Sequence, residues 1–229
     1  MRESRLVILE LAEATPERAG GKAVGLARLV ELGLPVPAAV VLPVGEELDD
    51  ADAIVARLGE PLAVRSSAVG EDAADRSFAG QFETVLGVGR EGLERAIAHV
   101  RGATDRAAAY GTAGQVAVVI QRQVHATRAG VAFSRDPVTG ADEVLVECAP
   151  GGGEAVVSGE LTPDRYWVSR ARVRARANGA LRTLRDDEAR RIAELVLTAE
   201  HGFGRPVDVE FCWEGRELWL VQCRPITTL

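Results

Sequence analysis

Of the 27 lysine and arginine residues in this 229-residue chain, Lys22 is the only lysine. It stands directly behind Gly20 and Gly21, at the head of a helix predicted over Lys22–Leu32. Leu26, Leu29 and Val30 share one face of that helix, Gly33 ends it, and Pro35 and Pro37 follow as stops. Backbone N–H groups at a helix start attract anions, and glycines let a phosphate approach the backbone closely. A lysine adds a compact, mobile charge, where the planar fork of an arginine would need a different geometry. Taken alone, the Gly-Gly-Lys triplet reads equally well as a surface lysine after a flexible turn. No G-x-x-x-x-G-K-[ST] sequence occurs and no G-x-G-x-x-G follows a strand, so neither a P-loop nor a Rossmann dinucleotide site is supported.

A second constellation is AVRSSAVGEDAADRSFAGQFETVL, residues 63–86. An apolar strand, Leu62–Ser66, delivers Arg65 at its end. The hydroxyls of Ser66 and Ser67, the acids Glu71, Asp72 and Asp75, and Gly80-Gln81 come next. The plain alternative is a polar surface loop. An arginine that continues an apolar strand nevertheless suits a side chain aimed into a cleft, and a loop of this length in a compact domain is usually functional.

The third constellation is RPVDVEFCWEGRELWLVQCRPI, residues 205–226. Strand alternation puts Asp208 and Glu210 on one face and Val207, Val209 and Phe211 on the other. On the return strand it puts Leu218, Leu220, Gln222 and Arg224 together. A turn near Gly215-Arg216-Glu217 pairs Glu210 with Gln222, setting a carboxylate and an amide oxygen side by side with a guanidinium one step on. Hard oxygen donors beside an arginine suit Mg²⁺ and phosphate. An exposed hairpin with an ordinary cross-strand pair is the alternative.

The elements that must carry these residues alternate along the chain. Strands are predicted at 5–9, 38–44, 62–66, 82–88, 116–124, 130–133, 143–148, 166–169, 173–177, 181–184, 206–213 and 217–223. Helices are predicted at 22–32, 46–58, 93–110 and 186–201, the last capped by Asp186. This is an α+β pattern. The least patterned stretch, Gly111–Gly114, divides it into lobes of residues 1–113 and 114–229. Apolar content of 47% with 27% charged residues fits a globular protein with a real core. A net charge of −7 argues against nucleic acid or an anionic membrane as a partner. The basic stretch ARVRAR, residues 171–176, reads as a solvated strand edge. No run reaches transmembrane length, and the start, MRESRLVILE, lacks the apolar core of a signal peptide. Cys148, Cys212 and Cys223 each lie in an apolar run without metal spacing, as reduced core cysteines of a cytoplasmic protein would.

In this order the constellations resemble the ATP-binding domain shared by phosphoenolpyruvate synthase, pyruvate phosphate dikinase and rifampin phosphotransferase. GGKAVGLARLVELGLPVPAAVVL resembles its first motif, VRSSAVGEDAADRSFAGQFET its second and GVAFSRDPVTG its third. GGGEAVVSGELTPDRYWV and GRPVDVEFCWEGRELWLVQCRPIT resemble the last two. The resemblance implies an ATP-grasp-like fold, two lobes with mixed or antiparallel sheets enclosing a nucleotide cleft, with ATP and Mg²⁺ as cofactors. It implies that Lys22 contacts the ATP phosphates, that Arg65 clamps and polarises them, and that Thr84 sits beside them with Gly80 backing the nucleotide. Gln121 falls where the family reads adenine or the hinge beside it. Glu210 and Gln222 hold Mg²⁺, and Arg224 neutralises charge on the transferred group. The role of Glu154 stays open.

The chain departs from the family pattern in places. Gly25 stands where a small polar residue is common, and the usual Q-x-M-V becomes Gln121-Arg122-Gln123-Val124. The spans between Pro43 and Pro61 and before Gln115 are short for the family. Full-length relatives pass the β-phosphoryl of ATP to a histidine on a swivelling domain and then to a substrate at a third site. His99, His125 and His201 lie inside the ATP-binding span, and none has a T-x-G-G-x-x-x-H-like setting. The expectation is a phosphotransferase component that loads a separate histidine-bearing domain, forms AMP and serves a small-molecule final acceptor at a substrate domain. A stand-alone small-molecule kinase or ligase, or a non-catalytic nucleotide-binding module, is the alternative.

Overall fold

The computed structural model describes residues 7–70, 83–108, 116–152, 162–169, 171–179 and 182–226. These residues form eleven strands and four α-helices: β1 (Leu9–Glu10), α1 (Pro16–Glu31), β2 (Ala39–Leu42), α2 (Ala51–Leu58), β3 (Leu62–Ala68), β4 (Thr84–Val88), α3 (Leu93–Ala108), β5 (Val116–Arg122), β6 (Arg128–Phe133), β7 (Val144–Pro150), β8 (Asp164–Val168), β9 (Val173–Arg176), α4 (Asp186–Phe203), β10 (Val207–Glu214) and β11 (Glu217–Pro225).

The strands make two antiparallel sheets, ordered β1-β2-β5-β3-β4 and β11-β10-β6-β7-β8-β9. The chain divides accordingly into a first unit, Met1–Ala27 with Pro37–Gln123, and a second, Arg28–Val36 with Val124–Leu229. The expected boundary at 113/114 therefore moves. Strand β5 lies between β2 and β3, so the chain's last crossing into the second unit comes after Gln123.

In the first unit one sheet face is apolar. Val40, Leu42, Leu62, Val64, Val118 and Ile120 pack with Ile54 and Leu58 of α2 and with Leu93, Ile97 and Val100 of α3. The helices close this face because their apolar residues recur at helical spacing. Strict strand alternation then leaves Ala63, Arg65 and Ser67 of β3 for the other face. In the second unit α4 packs on β6, β7, β8 and β10. It buries Ala189, Ile192, Ala193, Val196 and Ala199.

The helix starts differ from expectation for local reasons. Helix α1 begins six residues early, at Pro16, and is interrupted at Gly20, whose φ of 73° and ψ of 174° are not helical. Asp186 is the first residue of α4 rather than its cap. Arg185 holds the cap position, and the Glu188 carboxylate accepts its backbone N–H at 2.9 Å. No strand forms at Thr183–Leu184, because their N–H groups are taken by the Asp164 carboxylate and the Tyr166 hydroxyl.

Candidate functional site

Four of the candidate residues lie in the first unit. Lys22 is half-buried in the turn of α1 that follows the break at Gly20. A Cβ on Gly20 would collide with the carbonyl oxygen of Ser67, so only glycine allows this approach of the two backbones. One residue past Lys22 the helix is tied directly to β3: Ala23 N–H donates to Ser67 Oγ at 3.1 Å.

Arg65 is the half-buried residue in an otherwise buried strand, β3. It pairs with Thr84 on β4 and Val119 on β5, while its neighbour Ala63 pairs with Gln121. Directly paired residues share a face, so Arg65, Thr84 and Gln121 all project from the side opposite the α2–α3 core, with Arg65 and Gln121 diagonal neighbours. Thr84 is exposed at the first position of β4. Gln121 is 2% exposed, and its side-chain Nε2 is buried with no hydrogen-bond partner among the described residues. A buried amide left this way is costly unless something else accepts its hydrogen. Gly80 and Glu154, and with them Glu71, Asp72, Asp75 and Gln81 of the second constellation, lie outside the described residues.

Three candidates lie on the terminal hairpin of the second unit. Glu210 pairs with Gln222, as expected, and Asp208 pairs with Arg224. The face assignment on β11 is corrected, however. The register shifts between Glu210 and Phe211, because Phe211 pairs with Leu220 and leaves Val221 as an extra residue. Leu218 and Leu220 therefore share the buried face with Phe211 and Trp213. Gln222 and Arg224 change sides and join Asp208 and Glu210. Continuous alternation would have set Gln222 behind the sheet from Glu210, so the bulge assembles the pair.

Gln222 is buried, Glu210 is half-buried and Arg224 is exposed. Arg224 Nε donates to both carboxylate oxygens of Asp208, at 3.0 and 2.8 Å. Asp208 is 8% exposed and orients the guanidinium. Sequence alternation had placed it on this face without giving it a task. Among the described residues no group of three or more His, Cys, Asp or Glu side chains could hold a metal ion. The hairpin accordingly offers one carboxylate and one amide oxygen as hard donors.

The rest of the second sheet is held by buried polar chemistry. Asp164 accepts hydrogen bonds from Asn178 N–H (2.6 Å), Thr183 N–H (2.7 Å), Thr183 Oγ1 (2.8 Å) and Tyr166 Oη (3.2 Å). Burial alone would raise its pKa; these four donors more than offset it and hold the carboxyl below its ordinary value. Burial also pushes the Tyr166 phenol up to about 12 and the Cys148 thiol up to about 12, so neither ionises near neutrality. All three cysteines are free and buried, as their apolar runs suggested. Arg128 makes a two-point contact with Glu188, both at 3.0 Å, and lies over the ring of Trp213 at 4.9 Å.

The geometry of these units is shared with known proteins. The family described as pyruvate phosphate dikinase, AMP/ATP-binding domain matches residues 44–179 and 171–229. This chain belongs to that family and has its ATP-grasp-like α+β fold. A probable phosphoenolpyruvate synthase of Archaeoglobus fulgidus is 34% identical over 203 aligned residues, covering 73% of this chain and 27% of the relative. A rifampicin phosphotransferase of Streptomyces sviceus is 36% identical over 212, covering 76% of this chain and 24% of the relative. An uncharacterised phosphotransferase of Bacillus subtilis is 30% identical over 292, covering 97% of this chain and 35% of the relative. The chain thus spans about a quarter to a third of these relatives. Among solved structures, PH1788 from Pyrococcus horikoshii superposes with a TM-score of 0.53 at 14% identity, covering 92% of both chains. D-alanine–D-alanine ligase from Bacillus anthracis, solved with ATP, gives 0.50 at 12%, covering 89% of this chain and 52% of the ligase. No helix among the described residues is long and apolar enough to cross a membrane.

Proposed function

We propose that this chain binds Mg-ATP and passes a phosphoryl group from it to a histidine of a swivelling domain outside residues 1–229, with AMP as the nucleotide product. The observation that carries this reading is the bulged hairpin. It sets Glu210 beside Gln222 and Asp208 beside Arg224 on one face, an arrangement with little structural purpose on a strand that otherwise reads Leu-Trp-Leu-Val. Glu210 and Gln222 would hold Mg²⁺, whose contribution when bound is to neutralise and orient phosphate oxygens. Phosphate oxygens and water would complete its coordination.

In the first unit Lys22 and Arg65 supply the remaining positive charge toward the phosphates, with Thr84 beside them. Gln121 presents a buried amide donor that an acceptor on the nucleotide base satisfies. These residues position the phosphate chain and balance its charge, which is most of what a protein contributes to phosphoryl transfer. The attacking group is the imidazole nitrogen of the partner's histidine. It bonds to the β-phosphorus as the bridge to the α-phosphate breaks and AMP leaves, so both the β- and γ-phosphoryl groups pass to the histidine. Hydrolysis of the remaining β–γ bridge, away from the residues assigned here, then releases the γ-phosphoryl group as orthophosphate and leaves the β-phosphoryl group on nitrogen. His99, His125 and His201 are poor candidates for that carrier. His99 pairs with Glu83, His125 follows β5, and His201 sits in the last turn of α4. A small molecule at a separate substrate domain would be the final acceptor.

Labelled ATP distinguishes the possibilities. Incubation with a histidine domain from a matching relative should give AMP, orthophosphate and an acid-labile, base-stable phosphoryl group on that domain. The chain alone should bind Mg-ATP and turn it over slowly, because none of the assigned residues positions water for attack. Rapid ADP formation with a phosphorylated small molecule and no partner would replace this reading by a stand-alone kinase. Failure to bind Mg-ATP would remove the nucleotide reading altogether.

A further inference from the structure

Ser67 has no part in the assignments above, yet three independent features converge on it. The residue is completely buried, at 0% exposure, and its Oγ accepts the Ala23 N–H at 3.1 Å across 44 positions of sequence. Gly20 approaches it so closely that an added Cβ would lie 2.7 Å from that same Oγ and collide with the Ser67 carbonyl. Finally, Ser67 lies two residues beyond Arg65 on the same face of β3, pairing with Ala117 where Arg65 pairs with Val119.

The break at Gly20 gives these features their meaning. Beyond it the helix restarts with Gly20 in the cap position and Gly21, Lys22 and Ala23 as its first three residues. An N-cap side chain ordinarily accepts the N–H of the second or third of these. Gly20 has no side chain to do so. Ser67 performs the task from another strand, and the strand it uses is the one that carries Arg65.

We propose that Ser67 is a positioning residue: by capping the lysine-bearing turn from β3, it fixes Lys22 in place relative to Arg65. The proposal rests on the reading of those two residues as phosphate contacts. Ser67 would touch no phosphate and would act through Lys22. Loss of an N-cap hydroxyl typically costs about 1 kcal/mol, equivalent to roughly a fivefold change in an equilibrium constant. Part of that loss should be felt as looser placement of the lysine.

The test is a double-mutant cycle read by calorimetric titration with Mg-ATP, using the full chain. Ser67→Ala should weaken binding about three- to tenfold, and the Ala23 amide should exchange its hydrogen faster. In a Lys22→Ala background the same change should alter affinity less than about twofold. Ser66→Ala is the control. Ser66 is equally buried, but its Oγ faces Glu83 O at 3.4 Å on the other side of β3, so binding should be unchanged. An unaltered affinity in Ser67→Ala, or a loss just as large without Lys22, would overturn the proposal. Should Ser67→Ala fail to fold, Ser67→Thr and Ser67→Cys decide. Retained affinity in the first and weakened affinity in the second supports the cap, and equal affinities refute it. A wild-type chain that binds no Mg-ATP would instead bring down the nucleotide reading, and the proposal with it. A wild-type chain that binds while Ser67→Ala matches it would bring down the proposal alone.

Discussion

The two sheets hold their candidate residues by different physical means. In the first unit the contacts around the Gly20 turn and β3 are a glycine that lets two backbones meet, one buried hydroxyl on one backbone N–H, and an apolar core behind the sheet. In the second, Asp208 orients Arg224, Glu188 grips Arg128, and Asp164 gathers four donors. Steric contact is indifferent to pH and salt, whereas charged hydrogen bonds depend on both. The contacts named in the two units should therefore respond to different perturbations.

The largest effect should come from Asp164→Ala. It leaves the N–H groups of Asn178 and Thr183 and the Tyr166 hydroxyl without their acceptor, and buried groups orphaned in this way are expected to cost about 3 kcal/mol in total. Denaturant unfolding of the variant, with hydrogen exchange resolved by unit, should place the loss in the second unit. A loss below about 1 kcal/mol would mean that water substitutes freely there.

Gly20→Ala should come next, at about 2 kcal/mol in the first unit, since it combines a positive φ with a backbone collision. Its Mg-ATP affinity should fall by more than its stability loss at the assay temperature can explain. Unchanged binding would mean that the Gly20 turn does not place Lys22.

Acid should separate the units without any substitution. Asp164, Asp136 and Glu188 all have carboxyl groups held below their ordinary pKa, because hydrogen bonds outweigh the burial that would raise them. A depressed folded pKa gives stability that is complete above the unfolded value, near 4, and is lost as pH falls through the folded value. The carboxylates lowered in the first unit, Glu10 and Asp52, belong to exposed pairs with Arg57 and Arg90 and contribute little. Thermal unfolding followed from pH 6 to pH 3 should show the second unit weakening first. The reverse order would break the comparison.

The mildest change is Lys22→Arg. It keeps the charge and the fold, so the melting temperature should hold, while affinity for Mg-ATP drops a few-fold as a planar fork replaces a point charge in a tight turn. Equal affinity and turnover would remove Lys22 from the site.

Much of this was legible in the sequence, because it depends on short-range pattern. The pairing of Glu210 with Gln222 followed from alternation and a turn at Gly215, and Arg65 at the end of an apolar strand marked a residue with another purpose. What escaped depends on contacts distant in sequence. Strand β5 belongs with the first sheet because it slots between β2 and β3, which no local pattern reveals. Ser67 looks like one more loop hydroxyl until the helix 44 residues upstream is seen to rest on it. The bulge at Val221 is equally silent: Leu218, Leu220, Gln222 and Arg224 read as one alternating set, and only the pairing with β10 shows the change of face.

That single extra residue bears on how the hairpin can diverge. Side chains along β11 can be exchanged while the strand keeps its place in the sheet, and Val221, the residue opposite no partner, is the one whose loss leaves the pairs on either side intact. Removing Val221 would set Gln222 directly after Leu220 in plain alternation, so Gln222 stays beside Glu210 and Arg224 beside Asp208. Regular pairing that keeps Val221 would instead turn Gln222 and Arg224 to the buried side, with no residue in the proposed site replaced. Homologues can therefore present the same Glu, Gln and Arg on one face either from a bulged strand or from a regular strand one residue shorter, and a strand of this length that pairs without the bulge hides two of the three behind the sheet.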